Sequence, residues 1–368
     1  MDPLLGSSGV SPIVTIPLFV LFFGLLILAH EAGHFFAAKR AGMKVEEFGI
    51  GFPPRLKSWR RGETEYSLNA IPLGGFVRVL GEEDATDPRS YLRASKRWRF
   101  VFIIAGCVVN LLLGIVLFTA AWASGGPDPS QSEVVVMQVV PGLPAAAAGL
   151  QPGDVLVTLG GTPLKTSREL RSVSEQYAGR PVDVVVRRAD ADVVLTVTPR
   201  ATWPQGEGPL GIVIGDKAKM VSQPLPTAFV YGLRATGDTI LGTIALPVLA
   251  VRGLLPADAR PVSVVGIYSM TTQAAEVSIE TGWWFPFLLL AGSLSAGLGV
   301  VNLLPIPALD GGRLLFLLAE IVRGRGIDPR REGVIHLVGF AALITLMVGV
   351  IILDVTSPVP TIDWMRLR

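Results

Sequence analysis

Four long apolar stretches limit what this 368-residue chain can fold into. Each lacks Asp, Glu, Lys and Arg, and they occupy residues 13–29, 100–123, 281–309 and 333–353. A helix of about 20 apolar residues crosses a bilayer. With 50% hydrophobic residues, 17% charged residues and a mean hydropathy of +0.52, the chain is too apolar for an ordinary soluble domain. The sequence therefore predicts a multi-pass α-helical membrane protein with four transmembrane helices, at about residues 13–38, 100–123, 284–309 and 333–353.

A fifth apolar run, residues 239–251, is shorter and contains Pro247. We expect it to form an interfacial or packed helix, with deeper insertion as the alternative. Residues 1–11 contain no Lys or Arg, whereas a cleaved signal peptide has a basic n-region, so the first span is expected to be retained. The formal net charge of +2 argues against nucleic acid as a partner, and the single cysteine, Cys107, excludes an intrachain disulfide.

The distribution of Lys and Arg predicts how the chain crosses the inner (plasma) membrane. Residues 39–99 contain thirteen basic residues, and residues 311–332 contain five arginines. Basic loops stay on the cytoplasmic side. Both segments should therefore be cytoplasmic, and the N-terminus and the segment after residue 123 should lie outside.

Residues 124–220 have the composition of a soluble domain between the second and third spans. A Gly/Pro/Ser-rich linker, "ASGGPDPSQSE", precedes a β-branched strand, "EVVVMQVV". Residues 167–177 have helical spacing, and "PVDVVVRRADADVVLTVTP" predicts two strands around a polar turn. About 70 residues resemble a PDZ domain, chiefly through "GLQPGDVLVTLGG"; a small β-rich domain without a ligand is the alternative. PDZ domains bind extended peptides by adding a strand to a sheet edge.

The end of the first apolar stretch holds two of the three histidines, in "HEAGH", residues 30–34. His30 and His34, four residues apart, lie on one face of a helix. Two imidazoles so placed can hold one zinc ion, and Glu31 between them can act as general base on a water molecule. The alternative, packed side chains without a metal, would leave ionisable groups without partners in hydrocarbon. We therefore predict a zinc site within the membrane.

A catalytic zinc usually has three protein ligands and one open position. Four residues near the spans are candidates for the third ligand: Asp310, His336, Glu320 and Asp354. Depth favours Asp310, because the first and third spans run in the same direction and the "HEAGH" segment lies roughly 25 Å along its helix, towards the cytoplasmic end. Asp354 ends the fourth span on the outer face, which excludes it.

Two candidates remain weaker. His336 begins the fourth span near the inner face, where a packed or interfacial role is the alternative. Glu320 lies in "RLLFLLAEIVRGR", an expected amphipathic cytoplasmic helix on which it should be solvated. Pro305 and Pro307 support Asp310, because they should break the third helix. Irregular backbone at membrane depth occurs only inside protein or along a wet cavity, which is the setting that a zinc site needs.

Two motifs together identify the family that this chain resembles. "HEAGH" in the first span and "NLLPIPALDG", residues 302–311, in the third form a specific pair. With the order of spans and the PDZ-like segment, they resemble the site-2 protease family of intramembrane zinc metalloproteases over nearly the whole chain. The resemblance is to the bacterial branch that carries a PDZ domain and includes the regulator-of-sigma-E proteases. It implies Zn²⁺-dependent cleavage, within the membrane, of proteins already trimmed outside, such as anti-sigma factors or signal-peptide remnants.

The resemblance also implies residue roles. His30, His34 and Asp310 would bind zinc, Glu31 would be the general base, and Asn302 would hold the substrate backbone.

Residues 65–82, "EYSLNAIPLGGFVRVLGE", match the family's membrane-re-entrant β-loop. Their two strand-like halves around "PLGG" suit a β-hairpin. Gly74, Gly75 and Phe76 would then contact a substrate that pairs with the hairpin as an added strand. A cytoplasmic hairpin without substrate contact is the alternative.

The second span, "AGCVVNLLLG", departs from the family pattern because Cys107 stands where a proline is common. Asn110 matches the family asparagine and is a further candidate for substrate binding, with interhelical hydrogen bonding as the alternative. One PDZ-like segment is evident, where some relatives have two. Residues 222–256 resemble the helical segment that follows the PDZ domain in relatives and is a candidate gate.

These assignments divide the chain into a first half of the membrane core, a PDZ-like domain, a helical segment and a second half of the core, at residues 1–123, 124–220, 221–280 and 281–368. Expected partners are a transmembrane protein substrate, a peptide or C-terminus at the PDZ-like domain, and membrane lipid. Two rival functions remain: a catalytically idle PDZ-bearing scaffold, and a metal transporter. A transporter would need several ionisable residues at midplane, which the second and fourth spans do not offer.

Overall fold

The computed structural model describes residues 12–81, 86–189, 191–204, 207–254, 260–362 and 364. The helices of this part of the chain are α1 (Pro12–Arg40), α2 (Lys96–Ala123), α3 (Pro144–Ala147), α4 (Ser167–Gln176), α5 (Leu225–Val251), α6 (Val264–Thr281), α7 (Phe285–Asn302), α8 (Asp310–Arg323) and α9 (Pro329–Thr356). The strands are β1 (Val45–Arg61), β2 (Thr64–Val79), β3 (Gly126–Val139), β4 (Val155–Leu159), β5 (Thr162–Pro163), β6 (Val182–Arg188), β7 (Ala191–Val197) and β8 (Ile212–Val221). Contacts divide them into a helical unit, within residues 1–124 and 223–362, and a β unit, within residues 125–222.

The helical unit is that of a multi-pass membrane protein. By length and composition, five helices of the described residues can cross a membrane, at residues 13–40, 96–123, 225–251, 285–302 and 330–356. Four of them correspond to the predicted spans. The run 239–251 forms the second half of α5, a helix of 27 residues, so it is not the short segment that we expected. Arg234 and Asp238 interrupt the apolar sequence, so the first half of that helix was not recognised. The prediction of four spans is therefore not confirmed.

The third predicted span ends earlier than expected. Helix α7 stops at Asn302 after 18 residues, and α8 begins at Asp310. Pro305 and Pro307 lie between them in non-helical backbone, which confirms the predicted break. The turn is so tight that a side chain at Gly311 would collide with the carbonyl of Leu304. This turn places Asp310 at the first position of a helix rather than at the end of one.

The predicted hairpin around "PLGG" is wrong, although its residues are in β structure. Residues 65–68 and 75–79 do not pair with each other; both pair with residues 45–50, one on each side. The tight turn comes earlier, at Gly62, which has φ +64° and joins β1 to β2. Residues 45–50 supplied a partner strand that the local pattern of residues 65–82 could not reveal. Residues 75–79 consequently form an edge of this sheet.

The β unit contains an antiparallel sheet with the order β7-β6-β4-β3-β8, and β5 pairs with β4. The strands and the helix predicted between residues 133 and 200 are all present. The expected Gly/Pro/Ser linker is wrong, because β3 already begins at Gly126, which pairs with Val221 of β8. Among the described residues, β3 pairs there only with β8, so the missing N–H of Pro127 is tolerated.

The "GD" of the PDZ-like motif stabilises the β unit through one buried carboxylate. Asp154 is 1% exposed and accepts hydrogen bonds from Arg188 Nε and Nη2, both at 2.7 Å, and from the Gln151 amide at 2.8 Å. Burial opposes its ionisation, but the bonds from Arg188 and Gln151 outweigh burial and hold the pKa of Asp154 below its usual value.

Candidate metal centre

Helices α1 and α2 approach closely where "HEAGH" lies. His30 and His34 are each 6% exposed. A Cβ at Gly33 would lie 2.6 Å from the carbonyl oxygen of Ala105, and one at Gly106 would lie 2.5 Å from His34 Nε2. Small residues at a helix crossing let the backbones meet. Gly33 therefore lets the backbone of α2 approach α1, and Gly106 leaves the space that the two imidazoles occupy.

Asp310 completes a group of three possible metal ligands. Its Oδ2 lies 3.1 Å from His30 Nε2 and 3.2 Å from His34 Nε2, and the two ring nitrogens are 3.2 Å apart. Within the described residues, this is the group of His, Cys, Asp and Glu side chains that converges closely enough to hold a metal ion.

The three atoms fit zinc. Tetrahedral zinc with bonds of about 2.1 Å has ligand atoms about 3.4 Å apart, close to the observed triangle. Two histidines and one carboxylate are also a donor set that catalytic zinc sites use, with the fourth position open to water.

Residues of α2 contact the Nδ1 atoms of both histidines, so that both Nε2 atoms can face a metal. His34 Nδ1 donates to the carbonyl of Phe102 at 2.8 Å. His30 Nδ1 lies 3.4 Å from the amide of Asn110, a fully buried side chain whose Oδ1 has no partner among the described residues. Exchanging the amide oxygen and nitrogen of Asn110 would let it accept from His30 Nδ1. Such partners fix the tautomer and orientation of metal-binding histidines.

The predicted contact of Asn110 with a substrate stays a prediction. In this structure the side chain of Asn110 is fully buried. Its position beside His30 agrees with the alternative, a hydrogen bond between helices.

His336 does not join the three ligand atoms. Its Nδ1 accepts a hydrogen bond from the N–H of Ala308 at 2.8 Å. Ala308 has φ +78°, a backbone conformation that residues other than glycine rarely adopt. Gly339, one turn further along α9, packs against Pro307. Helix α9 therefore holds the segment that leads into Asp310, and His336 acts on the backbone.

A cavity opens beside the three ligand atoms. Glu31, Arg313, Leu309 and the sheet edge at Gly75 and Phe76 line it. A Cβ at Gly75 would lie 3.0 Å from Glu31 Cγ, so the edge strand passes directly over the glutamate. Gly75 and Phe76 thus border the cavity, and their contact with a substrate stays a prediction.

Two predicted substrate-binding residues lie elsewhere. Gly74 packs against the ring of Phe52, and Asn302, at the end of α7, does not line this cavity.

Glu320 is not solvated, contrary to prediction. It is 16% exposed and accepts a hydrogen bond from Arg99 Nη1 at 2.9 Å. The amphipathic pattern placed it correctly on a helix, but α2 supplies a cation that the pattern of α8 alone could not reveal. Asp354 accepts from the amide of Ser263 at 2.7 Å and does not join the ligand group.

Sequence reasoning missed two contributions of α2 to this centre. The carbonyl of Phe102 receives the His34 N–H, and Cys107 Sγ donates to Asp310 Oδ2 at 3.6 Å. The run "AGCVVN", residues 105–110, carries Gly106, Cys107 and Asn110 on neighbouring turns. This run was the signal that could have indicated that α2 contributes to the centre. The departure of Cys107 from the family pattern thus falls beside Asp310.

The chain is similar to known zinc metalloproteases over most of its length. The profile of peptidase family M50 matches residues 18–346. A putative zinc metalloprotease of Clostridium perfringens is 33% identical over 345 residues, covering 92% of this chain and 98% of the relative. The zinc metalloprotease RasP of Oceanobacillus iheyensis is 29% identical over 425 residues, covering 91% and 97%. The regulator of sigma-W protease RasP of Bacillus subtilis is 28% identical over 419 residues, covering 91% and 97%.

Proposed function

We propose, from the premise that the chain belongs to peptidase family M50 and is a zinc metalloprotease of a membrane, that it cuts peptide bonds within transmembrane segments. The observation that carries the proposal is the convergence of His30, His34 and Asp310 beside Glu31. The two histidines and Glu31 lie on α1, a helix apolar enough to cross a bilayer. Hydrolysis inside a membrane explains why ionisable side chains lie there at all.

His30, His34 and Asp310 would hold Zn²⁺, with Phe102 and Asn110 keeping the two imidazoles in orientation. Zinc bound there supplies a Lewis acid, which polarises the scissile carbonyl and lowers the pKa of water.

Glu31 lines the cavity and lies close to the ligand group. Its carboxylate accepts the proton of the attacking water and passes it to the leaving amide nitrogen, which is the role of a general acid–base residue. Ala308 and Leu309 also line the cavity, and His336 of α9 holds the backbone N–H of Ala308.

The sheet edge at residues 75–79 would hold the substrate. A helical peptide bond is shielded by its own hydrogen bonds, so the segment must unwind before attack. Residues 75–79 pair with residues 45–50 on one side, and Gly75 and Phe76 border the cavity. An unwound substrate can add to such an edge as a further strand, whose backbone is then satisfied. Asn302 remains a proposed second anchor for the substrate backbone.

The distribution of basic residues supports an active site towards the cytoplasmic side and a β unit outside the plasma membrane. We propose that the β unit is a PDZ domain, because an antiparallel sheet with an open edge lies beside α4. A domain there can exclude substrates that keep a bulky outer domain, so the substrates would be proteins already trimmed outside. The name of the Bacillus subtilis relative favours membrane-bound regulators of sigma factors as the class.

The test is cleavage of a single-span reporter by the purified protein, with Glu31→Gln as the matched variant. We expect the variant to retain zinc and to lose activity by about 10²–10⁴-fold, because an amide does not accept the proton of water. A variant that cuts at the wild-type rate contradicts the assignment of Glu31. Wild-type protein that contains zinc but cuts no reporter would instead support the scaffold.

A further inference from the structure

A second site lies on the small sheet of β1 and β2, at the edge away from the metal cavity. Residues 57–61 pair with residues 64–68, and residues 65–68 pair in turn with residues 47–50. Among the described residues, no strand pairs with the other side of residues 57–61. We call residues 56–61 the outer edge.

The turn that ends the outer edge lies level with the C-terminal end of α1. Lys39 Nζ, in the last turn of that helix, donates to Glu63 Oε1 at 2.9 Å. Four residues separate Arg40 from the start of β1 at Val45, and such a segment reaches at most about 18 Å. Because α1 is apolar enough to cross a bilayer, this turn stays close to the membrane surface where α1 ends.

Three cations of the outer edge have no acidic partner. Lys57, Arg60 and Arg61 are exposed, and none of them forms an ion pair with a described carboxylate. The acids that follow them along the chain, Glu63 and Glu65, already bind other cations. The outer edge therefore offers positive charge to a ligand.

Apolar and aromatic side chains lie among these cations. Leu56 is 66% exposed and Trp59 is 49% exposed. The ring of Trp59 stacks on Tyr66 of β2, with centroids 6.0 Å apart and an angle of 11° between the planes. Trp and Tyr are enriched where a membrane meets water, because their rings have an apolar body and a polar tip. The composition of the outer edge thus fits the boundary between hydrocarbon and headgroups.

The chemistry of the outer edge favours a lipid over other anions. A guanidinium group binds a phosphate through two parallel hydrogen bonds, and an anionic leaflet attracts Lys and Arg near its surface. Inorganic phosphate or a nucleic acid would meet the cations but leave Leu56 and Trp59 in water. A phospholipid meets both needs, because its acyl chains cover apolar side chains while its phosphate accepts from the guanidinium groups.

We propose that the outer edge binds the headgroup of an anionic phospholipid, with Arg60 and Arg61 on the phosphate. Leu56 and Trp59 then lie against the acyl chains. The site goes beyond the proposed protease function and does not depend on it, since no residue of the outer edge lines the metal cavity.

The test places a fluorophore that reports local polarity on the outer edge. Ser58→Cys is labelled with a thiol-reactive nitrobenzoxadiazole, because Ser58 is exposed and Cys107, the one native cysteine, is fully buried. The labelled full chain is reconstituted in nanodiscs of phosphatidylcholine, in which phosphatidylglycerol replaces an increasing share of the lipid. We expect the fluorescence to rise with the phosphatidylglycerol content, since the outer edge then passes from water into lipid.

Two variants examine the role of the cations in this response. Each cation near an anionic surface strengthens binding about fivefold, so Arg60→Gln should raise the phosphatidylglycerol content at half of the change about fivefold. Arg60→Glu with Arg61→Glu should abolish the response. Arg323→Glu with Arg325→Glu is the matched control, since both arginines are exposed at the end of α8 and the net charge changes equally. This control should respond as the wild type does.

Fluorescence that does not depend on phosphatidylglycerol, or a response that survives in Arg60→Gln and in the double reversal, overturns the proposal. A rise on addition of inorganic phosphate to phosphatidylcholine nanodiscs would identify a free anion as the ligand, which also overturns it. Equal loss of the response in the control would show that net charge alone matters and contradict a site at the outer edge. Because cleavage is not measured, failure of this test leaves the protease assignment standing.

Discussion

Among single residues, the side chain that completes the zinc site matters most. His30 and His34 alone would make a weak site, and Asp310 Oδ2 lies within 3.2 Å of both. Asp310→Ala should therefore lower zinc occupancy of the purified protein, measured by atomic absorption. The physical reason is the loss of the one anionic oxygen in the ligand triangle.

His336→Ala is the matched control for Asp310→Ala. His336 binds the amide of Ala308 rather than the ligand group, so this variant should keep its zinc stoichiometry. Equal zinc content in wild type and Asp310→Ala would point to His336 or another residue as the third ligand. Loss of zinc only in His336→Ala would identify the histidine.

At the scale of elements, the crossing of α1 and α2 decides whether the two imidazoles fit. A Cβ at Gly106 would lie 2.5 Å from His34 Nε2 and 2.8 Å from His30 Nε2. Gly106→Ala should push the helices apart and reduce both zinc content and cleavage, because overpacking a close contact costs about 1–3 kcal/mol.

The control for this change is Gly24→Ala in α1, where an added Cβ would contact nothing within 4 Å. It should leave zinc content and cleavage of the reporter at the wild-type level. If Gly106→Ala also behaves like the wild type, the described crossing of α1 and α2 is wrong.

The β unit should become less stable in acid through Asp154. Because hydrogen bonds hold the pKa of Asp154 below its unfolded value, its contribution is complete above about pH 4. It is lost as the pH falls through the lower, folded value. Asp154→Asn should destabilise the β unit by about 1–3 kcal/mol at pH 7 and flatten its dependence on pH below 4.

Pulse proteolysis of the β unit in the full chain measures this stability. Asp192→Asn is the control, since Asp192 is 57% exposed and its bond to Arg187 is 3.3 Å long. A wild-type protein whose stability does not change between pH 5 and pH 2.5 would show that Asp154 lacks this role.

Elements were predictable where the signal was local. Apolar runs gave α1, α2 and α9, and the proline pair gave the break before Asp310. The motif spacing placed His30 and His34 on one face. Pairing over long distances was not predictable: residues 45–50 determine the register of β2, and β8 turns an expected linker into strand β3. The surroundings of Glu320 and Asn110 were not predictable for the same reason, because their partners Arg99 and His30 lie on other helices.

At the scale of the whole molecule, the β unit should control selection of substrates rather than chemistry. None of the ligand-group residues belongs to it. Gly126 and Val221 are paired neighbours, so residues 126–221 can be replaced by a short Gly/Ser linker without stretching the chain. We expect this deletion variant to cut a short transmembrane reporter and to begin cutting an untrimmed, full-length substrate.

Both reporters are compared in cells, with Glu31→Gln as the blank. A folded, zinc-loaded deletion variant that cuts neither reporter would show that the β unit takes part in catalysis, which contradicts its role as a filter.

The proposed function depends on zinc-dependent hydrolysis inside the membrane, at His30, His34, Asp310 and Glu31. The most direct measurement is the position of the cut, determined by mass spectrometry of products from a single-span reporter reconstituted in liposomes with the purified protein. The account predicts a cut within the reporter's membrane segment, towards its cytoplasmic half, that a zinc chelator and Glu31→Gln both abolish. A cut confined to residues outside that segment, or one that persists in Glu31→Gln, would contradict it.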